Sequence, residues 1–271
     1  MYKLIACDLD ETLLSTDKHV SKGNTEAIKK LRDVGVKFVL ATGRGFNTVQ
    51  GTLEEVGLKD LENEYVMSFN GGAITENKNN KLLHFEGISF EIADALYKKG
   101  ITYPDVCTHV YTKDTVYCYN FFEAEQIYLK GKQPMHEIFI DNIDFLKDEE
   151  IVKVIYTNTN YDYLKSIADS IQDLTKDCDV SYSANRYLEF NHKGVNKGEG
   201  LRMVAKLLNI DIKDTIAIGD NFNDLPMIEA AGLGIGVANT IEPMKKLCDV
   251  ITDNDNNHDA IAEIIYKYVL V

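Results

Sequence analysis

The sequence predicts an α/β protein in which a parallel sheet is interrupted by an inserted α+β segment. Strands and helices alternate at the beginning and end of the chain, whereas the middle is rich in hairpins, and several apolar strands end in polar residues. A chain of 271 residues can form one large or two modest domains. We therefore expect a core built from residues 1–82 and 191–271, with an inserted domain at 83–190.

The first part of the chain alternates strictly between strand and helix patterns. Leu4–Cys7 is an apolar run typical of a buried strand, and later apolar residues recur at helical spacing until Gly35 and Gly57 end the helices. The predicted elements that follow the first strand are helix 25–33, strand 36–41, a helix around 49–56 and strand 65–69. This order indicates right-handed crossovers in a parallel sheet, in which ligands collect at the carboxyl ends of the strands.

The middle of the chain has a different order of predicted elements, in which short strands follow one another with few helices between them. Such a pattern favours an antiparallel sheet and hence an α+β domain. The predicted strands are 82–85, 106–112, 115–121, 138–140, 152–157, 180–183 and 187–190. The predicted helices are 91–99, 123–130 and 162–173.

The last part of the chain again alternates between strand and helix patterns. The parallel domain is therefore formed by two separate parts of the sequence, with the α+β segment inserted between them. The predicted helices are 198–208, 225–231 and 259–268, and the predicted strands are 215–218, 233–237 and 250–251.

Composition narrows the possible partners and location. The net charge of −14 argues against binding to nucleic acid or to an anionic membrane, since both need basic surface. No apolar run approaches the length of a membrane span, and no signal peptide opens the chain. The five cysteines are scattered and odd in number, which indicates reduced thiols and not a disulfide framework or a zinc site. The six histidines lack the spacing of metal ligands. We expect a cytoplasmic protein, with a monomer as the default state.

Two carboxylates follow the first strand. In an extended chain Asp8 and Asp10 begin on the same side, where their charges repel unless a cation lies between them. Mg²⁺ suits such a position because it prefers hard oxygen ligands. The alternative is that the pair simply ends a strand as turn residues.

Three further stretches lie at strand ends or at the start of the next helix: Thr42-Gly43, Lys197 and Gly219–Asp224. Each has a structural alternative, since Thr42 could cap a helix, Lys197 could be a surface lysine and the glycine-aspartate stretch could be a turn. Their joint occurrence with Asp8 and Asp10 at the same predicted edge favours a functional site.

These motifs together resemble the haloacid dehalogenase (HAD) superfamily, and in particular its Cof-type (subfamily IIB) sugar-phosphatase branch. The four matching stretches run in order through the whole chain: Asp8-Leu9-Asp10-Glu11-Thr12-Leu13, Thr42-Gly43-Arg44, Asn196-Lys197-Gly198 and Gly219-Asp220-x-x-Asn223-Asp224. Glu11 departs from the branch, which more often has glycine there, and it adds a negative charge beside the site.

The resemblance implies a HAD-like Rossmannoid core, an inserted cap domain and a magnesium-dependent phosphatase. It implies that Asp8 is the nucleophile that forms an aspartyl-phosphate, and that Asp10 first protonates the leaving group and then activates water. Mg²⁺ would be held by Asp8, the Asp10 main-chain carbonyl and Asp220. The residues implied to contact the phosphate are Thr42, Gly43, Lys197 and Asn223, and Asp224 would hold Lys197 or support the metal.

The expected substrate is a small phosphorylated metabolite, and the inserted domain would exclude water and recognise its leaving group. Our candidates for substrate contact are Arg44, Asn70, Gly71, Glu189 and Asn191, although Arg44 could equally be a surface salt-bridge partner. Hexose phosphates, pentose phosphates, nucleotides and flavin precursors all remain open.

Three other functions deserve comparison. A phospho-acceptor signalling module would also use aspartate, threonine and lysine around Mg²⁺, but it lacks a counterpart of Asp10 and needs no long insertion. A phosphomutase on the same scaffold would return the phosphoryl group to a sugar. A nucleotide-binding oxidoreductase is disfavoured because the glycines of 232–236 have the wrong spacing and open no long helix.

Overall fold

The structure is a computed structural model that describes residues 1–129, 134–183 and 186–270. The chain forms two compact units, one made of Met1–Phe85 with Asn196 and the residues after it, the other of Glu86–Val195. The boundaries therefore fall a few residues later than the 82/83 and 190/191 positions expected from the sequence. The reason is that both of those positions lie inside strands that continue to pair with their neighbours.

The elements before the insertion belong to the first unit. Their bounds are β1 Leu4–Asp8, α1 Lys22–Asp33, β2 Lys37–Ala41, α2 Gln50–Glu55, β3 Tyr65–Ser68, β4 Ala73–Glu76 and β5 Lys81–Phe85. The elements of the second unit are α3 Phe90–Gly100, β6 Cys107–Thr112, β7 Val116–Tyr119, α4 Glu123–Leu129, β8 Met135–Glu137, β9 Ile151–Thr157, α5 Tyr161–Ser170, β10 Cys178–Ser183 and β11 Tyr187–His192. The first unit is completed by α6 Lys197–Leu207, β12 Thr215–Gly219, α7 Leu225–Ala230, β13 Leu233–Gly236, α8 Glu242–Lys245, β14 Val250–Ile251 and α9 Ala260–Tyr268.

The first unit contains one sheet whose described strands have the order β14-β13-β12-β1-β2-β3-β4-β5. Neighbours from β14 to β3 are parallel, and β4 and β5 add an antiparallel hairpin at one edge. Alternate residues of β1 face opposite sides, so Ile5 packs with α1 and α9 whereas Leu4 packs with α6 and α7. Helices thus cover both faces, as a parallel sheet requires.

The second unit is an α+β domain. Its described strands have the order β10-β11-β9-β6-β7-β8, and every neighbouring pair is antiparallel except β7 with β8. Helices α3 and α5 pack on the sheet, and their side chains Leu96 and Leu164 share one apolar cluster with Val154 and Phe190. The predicted fold class, a parallel α/β core with an inserted α+β segment, is confirmed.

The individual element predictions differ from the structure in a few places. The strand predicted at 138–140 is wrong, because the edge strand is β8 and Phe139 is 79% exposed beyond it. The short strand β4 was not predicted at all. The helix predicted over 162–173 ends at Ser170, and Lys130, at the end of another predicted helix, lies outside the described residues. Across the described part of the chain, none of the helices has both the length and the apolar character needed to cross a bilayer.

Candidate active site

The register of the parallel strands brings three of the predicted site segments together. Asp8 is the last residue of β1 and pairs with Ala41 of β2, so Thr42 follows directly on the neighbouring strand. On the other side, Cys7 pairs with Ile218 of β12, so that Asp220 leaves the sheet beside Asp8. Adjacent strands lie about 4.8 Å apart, and the carboxyl ends of these three strands therefore form one site.

Lys197 reaches this site from the beginning of α6. The side chain of Asn196 caps the helix by accepting hydrogen bonds from the amides of Gly198 and Glu199, each at 3.0 Å. The Lys197 side chain is 0% exposed, and its Nζ donates to Asp8 Oδ1 and, at 2.5 Å, to Asp224 Oδ1. The lysine is thus held between two carboxylates that come from β1 and the loop after β12.

Three buried carboxylates surround the same point. Oxygen atoms of Asp8, Asp220 and Asp224 all lie within 4.8 Å of one another, and no other such group is found in the described residues. The Oδ2 atom of Asp224 also accepts hydrogen bonds from the amides of Asp220 (3.0 Å) and Asn221 (3.1 Å), which fixes the loop after β12. Asp220 Oδ1 accepts a hydrogen bond of 2.9 Å from the Thr12 hydroxyl.

Burial and mutual repulsion perturb these groups. Burial raises the pKa of Asp8 well above its ordinary value; the charge of Asp224 adds to this effect, and Lys197 opposes it. Burial, followed by the charge of Asp224, likewise raises the pKa of Asp220 to about 7. Burial lowers the pKa of Lys197, but the charges of Asp224 and Asp8 outweigh it and raise that pKa overall. The Lys197 ammonium is therefore charged, and this single positive charge does not balance the negative charges of the surrounding carboxylates.

The donor set suits a divalent metal ion. Three carboxylates and one ammonium leave two formal negative charges in a buried site, which is unfavourable unless a cation compensates them. Carboxylate oxygens are the hard ligands that Mg²⁺ prefers over softer metals. The acidic cluster therefore fits a divalent metal ion.

The loop after β2 presents a hydroxyl beside the carboxylates. Thr42 is buried, and its Oγ1 accepts a hydrogen bond of 3.0 Å from the amide of Arg44, which leaves the hydroxyl proton available for another acceptor. Gly43 lies against Asn70, since a Cβ at Gly43 would be only 3.3 Å from Asn70 Oδ1. Gly71 follows in the same turn. Thr42, Gly43, Asn70 and Gly71 are thus neighbours in the structure.

The side chain of Asp10 does not join the other carboxylates. Arg44 binds it through Nε (2.8 Å) and Nη2 (2.5 Å), and Lys18 Nζ lies 3.4 Å from Oδ1. Burial raises the pKa of Asp10, but the hydrogen bonds and charge of Arg44, with help from Lys18, outweigh it and lower that pKa. Arg44 thus forms a salt bridge with Asp10, and its contact with substrate stays a prediction.

Glu11 has a left-handed backbone, with φ of 59°, which is the conformation that glycine adopts most easily. Its side chain compensates by pairing with Lys18 at 3.0 Å, and its carbonyl accepts a hydrogen bond of 2.8 Å from Asn239. The departure from glycine is thus accommodated by contacts that also draw Lys18 toward Asp10.

The remaining predicted residues are not members of the carboxylate cluster. The side chain of Asn223 is exposed in the loop before α7. Glu189 and Asn191 belong to β11 of the second unit, where Glu189 accepts hydrogen bonds from Lys153 at 2.5 Å and from Ser183. Asn191 donates a long hydrogen bond of 3.5 Å to Ser181.

Sequence reasoning missed two residues that the structure ties to the site. Thr12 orients Asp220, and Lys18 contacts both Asp10 and Glu11. Thr12 lies inside the first motif, so its position was a usable signal. Lys18 carried none, because its contact depends on the path of the loop after Leu14.

Comparison with known proteins gives a consistent result. The sequence profile described as haloacid dehalogenase-like hydrolase matches residues 5–265. YxeH of Bacillus subtilis (strain 168), which bears the name of a phosphatase, is 31% identical over 100% of this chain and 99% of its own length. YcsE of the same organism, a 5-amino-6-(5-phospho-D-ribitylamino)uracil phosphatase, is 28% identical over 99% of this chain and 96% of its own.

A solved structure extends the similarity to the fold. The crystal structure of a haloacid dehalogenase-like hydrolase from Bacteroides thetaiotaomicron superposes with a TM-score of 0.84 at 27% identity, covering 98% of this chain and 99% of the other. The resemblance noted in the motifs is thereby confirmed along the length of the chain.

Proposed function

This chain belongs to the haloacid dehalogenase-like hydrolase family and is a phosphatase, and we propose that it hydrolyses small phosphomonoesters with Mg²⁺ through an aspartyl-phosphate on Asp8. The observation that carries the proposal is the contact of Lys197 with Asp8 and Asp224 next to Asp220. A phosphomonoester is a dianion, so a carboxylate nucleophile requires positive charge around it before it can approach phosphorus.

In the first step, Asp8 forms a bond to phosphorus while the bond from phosphorus to the ester oxygen breaks. Asp10 gives a proton to the departing oxygen. In the second step, Asp10, now a carboxylate, takes a proton from a water molecule that attacks the phosphorus, and the bond to Asp8 breaks to release inorganic phosphate. Arg44 donates hydrogen bonds to both carboxyl oxygens of Asp10. The Asp10 carboxyl must therefore release Arg44 before it can give a proton to the ester oxygen.

Other residues of the chain stabilise the transferring oxygens. We assign this role to the Thr42 hydroxyl, the Gly43 amide and the Lys197 ammonium, with Asn223 as a further phosphate contact. Asp8, Asp220 and the Asp10 carbonyl would hold the metal, while Asp224 keeps Lys197 and the loop after β12 in place. When bound, Mg²⁺ would neutralise charge on the carboxylates and the phosphoryl oxygens.

The proposed substrate is a sugar phosphate or a similar small ester. Arg44, Asn70, Gly71, Glu189 and Asn191 stay our candidates for contact with its leaving group. The relative YcsE is named for a phosphorylated ribitylamino-uracil, so a screen should include that ester beside hexose phosphates, pentose phosphates and nucleotides. Release of inorganic phosphate supports hydrolysis, whereas accumulation of an isomeric sugar phosphate would indicate a phosphomutase.

The decisive experiment replaces the nucleophile. Asp8→Asn keeps the size of the side chain but removes the attacking charge, and we expect kcat for an aryl phosphate to fall at least ~10³-fold, as nucleophile losses usually do. The matched control is Asp214→Asn, which alters an aspartate that pairs with Lys3 before β12 and should keep the kcat of the unmodified protein. Near-native turnover by Asp8→Asn would refute the nucleophilic role.

A further inference from the structure

The turn after β3 has an uncommon backbone. Three successive residues, Phe69, Asn70 and Gly71, have φ values of 52°, 56° and 98°. Asparagine and glycine tolerate the left-handed region, but an aromatic residue there is a rare and costly choice. Such a conformation persists only where its surroundings hold it in place, and it is often found beside functional sites.

The left-handed turn allows two amides to bind the loop after β2. The Phe69 amide donates to the Arg44 carbonyl at 3.0 Å, and the Asn70 amide donates to the Thr42 carbonyl at 2.9 Å. The Arg44 amide, in turn, donates to the Thr42 hydroxyl. The position of the proposed phosphate-binding peptide at Thr42-Gly43 thus depends on hydrogen bonds from this turn.

Close packing joins the same turn to two other parts of the site. The side-chain amide of Asn70 packs against Gly43, because a Cβ added at Gly43 would lie 3.3 Å from Asn70 Oδ1. The Phe69 ring packs against Gly45 in the same way, since a Cβ added there would lie 2.9 Å from the ring. On the opposite side, a Cβ at Gly71 would be 2.4 Å from the carbonyl of Asn196, which caps the helix that begins at Lys197. The turn therefore contacts both the loop of Thr42 and the start of the helix that carries the lysine.

Hydrogen bonding does not account for the presence of an asparagine side chain at position 70. Its Oδ1 is buried and has no partner within the part of the chain that the structure describes, although a buried amide oxygen without one is unfavourable. What the side chain does provide is contact with Gly43, where an added Cβ would lie only 3.3 Å from Asn70 Oδ1.

We propose that Asn70 is a positioning residue for the phosphate-binding loop, acting through its left-handed backbone and through the contact of its amide with Gly43. This inference rests on the proposed function, because it assigns the Thr42-Gly43 peptide to the phosphoryl oxygens. Misplacing that peptide should weaken transition-state binding more than substrate binding, so the loss should appear in kcat rather than in KM.

Two substitutions at Asn70 separate its backbone from its side chain. Asn70→Gly keeps the left-handed turn and removes the amide, whereas Asn70→Ala removes the amide and also disfavours the turn. We expect kcat for an aryl phosphate to fall about 30- to 100-fold in Asn70→Ala, within the range caused by misplaced catalytic groups. In Asn70→Gly we expect a partial rescue, with a loss of roughly 3- to 10-fold, and KM should change less than ~3-fold in both.

The matched control is Asn209→Ala. Asn209 also has a left-handed backbone, with φ of 54°, but it is exposed just beyond the far end of α6. Asn209→Ala should lower the melting temperature about as much as Asn70→Ala while leaving kcat unchanged. Equal kcat losses in Asn70→Ala and Asn70→Gly, a kcat loss in Asn70→Ala no greater than in Asn209→Ala, or a loss confined to KM would each overturn the positioning role.

The outcome also distinguishes this inference from the proposed function. If Asp8→Asn abolishes activity but Asn70→Ala does not reduce kcat, only the positioning role fails. If Asp8→Asn retains activity, the proposed function fails whatever the Asn70 variants do. Affinity for orthovanadate, which binds as a five-coordinate mimic of the phosphoryl-transfer transition state, should fall in Asn70→Ala and recover partly in Asn70→Gly. An unchanged vanadate affinity would count against the inference.

Discussion

Both units bury a lysine against carboxylates, and the two lysines differ in how their charge is balanced. In the second unit, Lys153 pairs with Glu189, whose other oxygen accepts a hydrogen bond from the Ser183 hydroxyl. In the first unit, Lys197 contacts Asp8 and Asp224, and a third carboxylate lies beside them. One pair is therefore balanced within the fold, whereas the other group carries an excess of negative charge.

The direction of the pKa shifts reports the same difference. Burial raises the pKa of Glu189, but the charge and hydrogen bond of Lys153, together with the hydrogen bond from Ser183, outweigh it and lower that pKa overall. Burial also raises the pKa of Asp8, and there the repulsion from Asp224 and Asp220 adds to burial, so that the pKa stays raised despite Lys197. A buried lysine by itself thus does not indicate a catalytic site. The excess of carboxylates over cations around it is the more informative feature.

Removal of divalent metal should give the largest difference between the two units. We expect EDTA to abolish hydrolysis and added Mg²⁺ to restore it, because the three clustered carboxylates of the first unit have one ammonium to balance them. Metal at 100 times its Kd should also stabilise that unit by about 2.7 kcal/mol. Hydrogen exchange measured by mass spectrometry should then increase on chelation in the segment 219–224 and stay unchanged in 151–157. Activity that is insensitive to EDTA would remove the metal from the proposal.

Replacing each lysine by methionine should separate catalysis from stability. We expect Lys197→Met to reduce kcat by about 10²- to 10³-fold, since it removes a cation from the transferring oxygens. Lys153→Met should instead lower the free energy of unfolding by about 3–5 kcal/mol, because Glu189 is left buried without its partner.

The double variant Lys153→Met with Glu189→Leu serves as the control for the second unit. It removes both charges at once, and the free energy of unfolding should largely recover, since a buried pair can often be replaced by apolar residues. A kcat loss in Lys153→Met as large as that in Lys197→Met would contradict the contrast between the two lysines.

Acid should destabilise the second unit through His109. Burial, followed by the charges of Lys153 and Arg186, lowers the pKa of His109 to about 3. The unfolded chain binds a proton near pH 6.5, so the stability from the neutral histidine is complete above that pH and is lost as the pH falls toward 3, by up to about 1.4 kcal/mol per pH unit. Urea unfolding monitored between pH 7 and 4 should show a shallower acid slope for His109→Gln. The exposed His136→Gln is the control, and an equal change in both would contradict the assignment.

The smallest expected effect concerns the pH profile of turnover. Arg44 lowers the pKa of Asp10 and so favours the carboxylate form. Arg44→Gln should raise that pKa, and because the first step needs protonated Asp10, the alkaline limb of kcat should move to higher pH. A profile measured with an aryl phosphate between pH 5 and 9 tests this. The prediction fails if the alkaline limb stays in place or moves to lower pH.

Some of the site could be predicted from sequence because strand order determines it. Alternating strands and helices imply parallel neighbours, and parallel neighbours bring Asp8, Thr42 and Asp220 to one edge whatever the side chains do. The same reasoning was insufficient for Asp10. Its alternation with Asp8 suggested a shared cation, but the chain leaves the strand after Asp8, and the bidentate contact with Arg44 depends on rotamers that no spacing rule describes.

The fold shows the same limit at the sheet edges. An apolar run at 138–140 predicted a strand, yet pairing with β7 occurs a few residues earlier, in β8, since an edge strand needs only one partner and little burial. The hairpin partner β4 was missed because it is four residues long and follows two glycines, which read as a turn. Central strands carry a strong apolar signal, whereas edge strands do not.

The split of the first unit also affects how the chain is made. Strand β1 lies between β2 and β12, and roughly 200 residues must be synthesised between the end of β1 and the start of β12. At ~5–20 residues per second a ribosome needs about 10–40 s for that stretch. During this time one side of an apolar strand has no neighbour and could pair with another nascent polypeptide. The inserted domain, whose described strands pair with one another, leaves the ribosome within this interval, so all of it is synthesised before β12 can complete the sheet around β1.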